Sequence, residues 1–237
     1  MIVLGIETST AVCSVGLYGD GGKEVERSLV ESHIHSEKLL TLVQQVLVDG
    51  KVSLNEIDAV AVSQGPGSFT GLRIGLSTAK GLSYSLERPL IAVPTLQAIA
   101  EAFRLADASV RQVVVLIDAR QGEFYTGRYG VTDAGAVQPM DDVRVMSLEA
   151  AVAAIPPEGD VLVATDAFAQ VRPAVRKGVT LQDVHPACRG GMVARIGYRK
   201  MARNEVADVA MLEPLYLKDF VVKTAEHMNK NTLVGGS

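Results

Sequence analysis

Ser63-Gln64-Gly65-Pro66-Gly67-Ser68-Phe69-Thr70-Gly71-Leu72-Arg73-Ile74-Gly75 joins the apolar run Ala59-Val60-Ala61-Val62 to a helix that ends near Glu87. The stretch reads as a strand, a glycine turn and a helix start. Gly65, Pro66 and Gly67 suit a sharp reversal, and Ser68 or Thr70 can accept from the orphan amides of the first helical turn. Helix N-termini attract anions, so the turn admits a phosphate-binding reading. It lacks the lysine and hydroxyl of a Walker loop, and Thr70 takes the third glycine position of a dinucleotide fingerprint. The other reading is a purely structural turn, which the spacing favours.

The helix behind the turn carries Arg73, Lys80 and Glu87 as its only charges, seven residues apart and therefore on one stripe. The remaining circumference is apolar or small. Gly71, Gly75, Ala79 and Ser83 recur every fourth position as a flat ridge where another backbone can approach. Glycine inside a helix costs about 1 kcal/mol relative to alanine, so Gly71 and Gly75 need a packing reason. That reason is either the chain's own sheet or a partner subunit on the second side.

Working outward, the chain begins with an apolar strand, Ile2 to Ile6, followed by Glu7-Thr8-Ser9-Thr10. Strands from Val12 to Tyr18 and Glu24 to Val30 flank the hairpin signal Asp20-Gly21-Gly22. A helix over Ser36 to Val48, the strand Asp58 to Ser63, the glycine-motif helix, a strand at Leu90 to Val93 and a helix from Thr95 to Arg104 follow. Ser53-Leu54-Asn55-Glu56 has capping-box spacing. The second half repeats this grammar. Val113 to Ile117 ends at Asp118, strands follow at Glu123 to Arg128 and Val143 to Met146, then a helix (Leu148 to Ile155), a strand (Val161 to Ala164) and a helix (Ala167 to Arg176). The pattern predicts two mixed-sheet α/β domains with a cleft between them, 1–104 and a smaller 105–223, with 224–237 as a flexible tail.

Composition narrows the function classes. A chain of 237 residues with 48% hydrophobic content can bury a substantial core, and its net charge of −4 argues against binding nucleic acid mainly through a basic surface. Two cysteines give neither a disulfide framework nor a CxxC pair, which suits a reducing compartment. The first residues lack a basic leader, and no apolar run approaches the ~20 residues of a membrane span. These observations lead us to expect a soluble, cytoplasmic protein with no membrane contact.

An acidic-hydroxyl turn after each first strand makes the architecture resemble the duplicated actin-like and sugar-kinase ATPase superfold. In that superfold the two turns face a nucleotide phosphate tail, which would place Glu7, Thr8, Ser9, Thr10 and Asp118 there. The plainer reading is that these short polar residues satisfy turn backbone groups. Five segments together are more specific: Gly5-Ile6-Glu7-Thr8-Ser9, His35-Ser36-Glu37-Lys38-Leu39-Leu40, the long glycine motif with Ala79-Lys80-Gly81-Leu82, Asp118-Ala119-Arg120, and Pro214-Leu215-Tyr216-Leu217-Lys218. In order and spacing they resemble the TsaB (YeaZ-type) subunit family of the bacterial tRNA threonylcarbamoyladenosine machinery. Lys218 stands where that family usually has Arg.

The resemblance implies a non-catalytic scaffold that forms a homodimer alone and pairs with a TsaD-like catalytic paralogue. That paralogue transfers a threonylcarbamoyl group to the adenosine beside the anticodon of tRNAs reading codons that start with A. It also implies a TsaE-like ATPase as a further partner, an indirect relation to tRNA, no cofactor bound by this chain alone, and a nucleotide at the interface of the complex. The paralogue carries a His-x-x-x-His pair after the strand that follows the glycine-motif helix. Here Thr95 and Ile99 stand at those positions, and Ile99 cannot bind metal. His33 with Glu37 offers two ligands without a third, while His185 and His227 stand apart. Gly190-Gly191 reads as a helix entry.

The expected partner face comprises Leu39, Leu40, Val43, Val46 and Leu47 on one helix with Gly71, Leu72, Gly75, Leu76, Ala79 and Ser83 on the other. Together they would close a four-helix bundle with the partner. The rival functions are a glycoprotease-type metallopeptidase, opposed by the missing His pair, and a small ATPase or kinase, opposed by the short second half.

Overall fold

The computed structural model describes residues 1–30, 35–157 and 160–218. Two mixed sheets share one topology. In the first, β1 (Ile2–Glu7) pairs antiparallel with β2 (Val12–Gly19), which pairs antiparallel with β3 (Glu24–Val30). On its other side β1 runs parallel to β4 (Ala59–Gly65), and β4 parallel to β5 (Leu90–Pro94). In the second sheet, β6 (Gln112–Asp118) pairs antiparallel with β7 (Glu123–Val131), which holds β8 (Val137–Pro139) and β9 (Arg144–Ser147). β10 (Val161–Thr165) and β11 (Thr180–Asp183) extend it in parallel. The orders β3-β2-β1-β4-β5 and β8-β7-β6-β10-β11 match once β9 is set aside, so the α/β duplication is present.

Alternation along the central strands explains why both faces of the first sheet are buried. Leu4 and Ile6 of β1 and Val60 and Val62 of β4 form a core with Leu39, Leu42, Val43 and Val46 of α1 (His35–Gly50) and Leu76 and Ala79 of α2 (Phe69–Leu86). The opposite face presents small residues, Gly5, Gly16, Ala59 and Ala61, and α6 (Gly190–Ala202) lies on it with Met192, Val193, Ala194 and Ile196. A β-carbon added at Gly190 would stand 2.6 Å from the Gly16 nitrogen, and one at Gly5 would overlap the Gly190 carbonyl. Side chains at either would force the helix off the sheet.

The third helix of each half crosses over. α3 (Thr95–Ala106) packs Leu96, Ile99 and Ala100 against Val113, Val115 and Ile117 of the second sheet. α6, late in the chain, covers the first. The 104/105 boundary therefore divides the chain order but not the packing. The other face of the second sheet is closed by α4 (Leu148–Ala153) and α5 (Phe168–Ala174) around Phe124, Leu116, Val163 and Val171.

Most expected elements fall within two residues of the observed ones. The helix after Ala167 is shorter than the pattern predicts and ends at Ala174, directly after Pro173. β8 and β11 were not expected. The Ser53 capping box is present, with the Ser53 N–H donating to Glu56 Oε2 at 2.8 Å. No helix among the described residues is long and apolar enough to cross a membrane. His33, His227 and the 224–237 tail lie outside the described residues.

Candidate functional site

The β1–β2 turn is clamped by the glycine motif. Ser68 N–H donates to the Ser9 carbonyl at 2.7 Å, Thr8 Oγ1 donates to the Gly71 carbonyl at 2.8 Å, and Ser68 Oγ accepts from Gly71 N–H at 3.3 Å as the N-cap of α2. A β-carbon on Gly67 would overlap the Ser9 carbonyl, and one on Gly71 the Thr8 carbonyl. On Gly75 it would overlap Thr8 Oγ1. Close approach to the chain's own turn is the packing reason for these glycines. Of the head amides, those of Ser68, Gly71 and Leu72 are already used inside the chain.

Beneath this clamp lies Glu7, 1% exposed. Its Oε1 accepts from the Ser9 N–H at 2.6 Å and from the Ser9 hydroxyl. Burial pushes its carboxyl above the ordinary range, against the pull of the Ser9 and Ser63 hydroxyls. Glu7 therefore fixes the shape of the turn from below and does not line the cleft.

Above the clamp, a cleft of about 810 Å³ opens between the two halves. Ser9, Thr10, Ser68 and Thr70 line one side, and Asp118, Arg120, Gln121, Asp166 and His185 the other. Of the five residues that the superfold resemblance would place at a nucleotide, Ser9, Thr10 and Asp118 come together here, while Glu7 and Thr8 are buried and do not line the cleft. Thr10 Oγ1 accepts from Val12 N–H at 3.2 Å, and Asp118 Oδ1 from Arg120 N–H at 2.8 Å, so both also serve their own turns.

Asp166, not singled out from the sequence, accepts the Asp118 N–H at 2.8 Å, and burial raises its carboxyl. Its signal was an acid following the second parallel strand. His35 Nε2 lies 3.2 Å from the Val12 carbonyl in a buried position, a structural role. His185 Nδ1 lies 2.7 Å from Asp183 Oδ1. Hydroxyls, two carboxylates and an exposed guanidinium suit recognition of a polar ligand. Among the described residues no group of three or more His, Cys, Asp or Glu is placed to hold a metal.

Leu215, Tyr216 and Lys218 of the Pro214–Lys218 motif also line this cleft. Leu215 N–H donates to the Gln64 carbonyl at 2.9 Å. Tyr216 stacks on Phe69 at 5.1 Å and accepts from Arg73 Nε at 2.8 Å through its hydroxyl, while the Arg73 guanidinium lies 3.8 Å over the Phe69 ring. Lys218 donates to the carbonyls of Ala119 and Arg120, each at 3.2 Å.

The expected partner face is turned mostly inward. Leu39, Val43, Val46, Gly71, Leu72, Gly75, Leu76, Ala79 and Ser83 are buried in the chain's own fold, Leu47 is half-buried, and Leu40 is 58% exposed. The outward side of the two helices carries other residues, with Val48 75% and Tyr84 83% exposed, beside Gln44, Ser77 and Gly81. A helix's apolar periodicity marks a buried face without saying what buries it.

Residues 29–162 match the family described as "TsaD: tRNA N6-adenosine threonylcarbamoyltransferase". The chain is 40% identical over 129 residues to the tRNA threonylcarbamoyladenosine biosynthesis protein TsaB of Escherichia coli (strain K12), covering 54% of this chain and 55% of that protein. It is 32% identical over 146 residues to the TsaB protein of Bacillus subtilis (strain 168), covering 62% of each. The chain thus spans little more than half the length of these curated relatives. Among solved structures, a Pseudomonas aeruginosa protein with similarity to peptidase YEAZ superposes with TM-score 0.81 at 28% identity, over 92% of this chain and 99% of that one. The (R)-2-hydroxyglutaryl-CoA dehydratase component A of Acidaminococcus fermentans, TM-score 0.55 at 11% identity over 85% and 99%, shares the fold alone.

Proposed function

The chain belongs to the tRNA N6-adenosine threonylcarbamoyltransferase family and is of the TsaB/YeaZ type; from that premise we propose that it is a non-catalytic, partner-binding subunit in tRNA threonylcarbamoyladenosine synthesis. Its partner in this reading is a TsaD-type paralogue, which transfers the threonylcarbamoyl group to the adenosine beside the anticodon. The observation that carries the non-catalytic assignment is the head of α3. Thr95 and Ile99 are both buried, and Ile99 packs in the second sheet's core where the paralogue's resemblance calls for a metal-binding histidine.

The partner face is reassigned to the outward side of α1 and α2: Leu40, Gln44 and Val48 beside Ser77, Gly81 and Tyr84. Exposed Leu40, Val48 and Tyr84 on two packed helices form a surface on which a like pair of helices gains apolar burial. A second copy and the paralogue would compete for it. The cleft would hold a polar ligand such as a nucleotide only within the complex.

Reconstitution tests the role. Supplied with tRNA and threonylcarbamoyl-adenylate, the chain alone should form no modified adenosine, and adding the TsaD-type subunit with the TsaE-type ATPase should restore formation. Modification by the chain alone would overturn the non-catalytic reading.

A further inference from the structure

The segment after α6 binds the two halves unequally. Along the first half it is held by many contacts. Ala207 N–H donates to Leu90 O at 2.8 Å, Lys80 Nζ to Ala210 O at 3.3 Å, and Gln64 Nε2 to Glu213 O at 3.1 Å. Val209 and Leu212 pack on the first core, and Leu215 and Tyr216 are fixed as described above. On the second half, among the described residues, its hydrogen bonds and ion pairs all come from Lys218. That ammonium meets the Ala119 and Arg120 carbonyls and sits 2.5 Å from Glu123 Oε2.

The turn that Lys218 grips is exposed at Arg120, Gln121 and Gly122. Arg120, Gln121 and Gly122 all have positive φ (67°, 59° and 75°), and a β-carbon on Gly122 would meet nothing within 4 Å. Its own closure is two backbone bonds, Ala119 N–H to Glu123 O at 2.9 Å and Glu123 N–H to Arg120 O at 3.1 Å, and one side-chain bond, Arg120 N–H to Asp118 Oδ1 at 2.8 Å. Between grip and anchorage, Leu215, Tyr216 and Lys218 line the cleft.

We propose that residues 207–218 form a latch across this cleft, docked on the first half and releasable at Lys218, so that this charged contact holds the β6–β7 turn toward the first half. Releasing Lys218 removes the segment's polar hold on the second half and leaves every first-half contact in place. A ligand or partner that competes for Glu123 or for the two carbonyls opens the cleft. The free, exposed tip at Gln121 moves with the second half.

Spin labels test this on the full chain. Cys13 and Cys188 are buried, with thiols pushed up by burial (Cys13 to about 11), so Thr70→Cys and Gln121→Cys can be labelled selectively across the cleft. Lys218→Met should shift the label distances longer and broaden them. The Leu215 amide, bonded to Gln64, should keep its hydrogen-exchange rate within about twofold, and Lys218→Arg should restore the native distances. Unmoved distances in Lys218→Met overturn the latch. A Leu215 amide exchanging about tenfold faster also overturns it, because the whole segment would then have peeled away. Glu123→Gln removes the ion pair and leaves the two carbonyl bonds, so it should lengthen the distances in the same direction by less than Lys218→Met, and unmoved distances there overturn the latch if Lys218→Met does not fold.

Discussion

The two halves repeat one topology yet close their first turns in opposite ways. In the first half, α2 runs 18 residues and drives its glycine motif onto the β1–β2 turn until backbones touch. In the second, α5 runs seven residues, contains Pro173 and has no side-chain N-cap, and it packs on the sheet without reaching the β6–β7 turn. The first turn is therefore a packed joint over buried Glu7, and the second is an exposed tip held by Lys218. Topology was duplicated, while the length and glycine content of one helix decide which turn is rigid.

That contrast is broken most severely by side chains at the joint. Gly71→Val should destabilise the fold by about 3 kcal/mol or more in urea unfolding, because the overlap is with the Thr8 carbonyl. Gln121→Gly, at the tip of the β6–β7 turn, should change stability by less than about 1 kcal/mol. Equal costs would mean that the two turns are equally packed.

The next effect is the pH response of Glu7. Burial raises its folded-state value above the ordinary 4.5, so the folded chain holds a proton that the unfolded chain has lost. Its contribution is fully present below about pH 4.5 and falls as pH rises through the folded value. The slope is at most about 1.4 kcal/mol per pH unit. Glu7→Gln should flatten this part of the stability-against-pH curve. Asp166, raised by burial from 3.8, gives a window of the same sign on the other side of the cleft.

A smaller contrast lies within α2 itself. Gly81 is exposed, with nothing within 4 Å of an added β-carbon, so Gly81→Ala should stabilise the isolated chain by about 1 kcal/mol in thermal melts. Ser68→Ala, which removes the cap, should cost about 1 kcal/mol. If Gly81→Ala destabilised the chain, the outward side of α2 would be packed after all.

The central strands were legible because their apolar runs are continuous and bounded by turn residues. β8 spans three residues with no buried position, and β11 buries only Leu181 of four, so neither carries a periodic signal. The crossing of α6 was also hidden. Its reason is the match of Gly190 and Gly191 to Gly5 and Gly16, far away in the chain. At the site, Ser9, Thr10 and Asp118 were legible as polar turns after apolar strands. For Glu7 both a cleft-facing and a turn-supporting reading stay open, because a sequence gives an acid's position along a strand but not which side of the floor it takes. The inward helix faces were read as a partner surface for a similar reason: burial by self and burial by another leave one pattern.

Light scattering on the chain alone and mixed with the TsaD-type subunit of the same cell decides whether the outward sides of α1 and α2 bind a partner, with Val48→Asp/Tyr84→Arg as the comparison. We predict a homodimer that exchanges into a heterodimer, and a doubly substituted chain that stays folded but monomeric in both samples. A native chain that is monomeric and indifferent to that subunit, or a substituted chain that associates unchanged, would contradict the account.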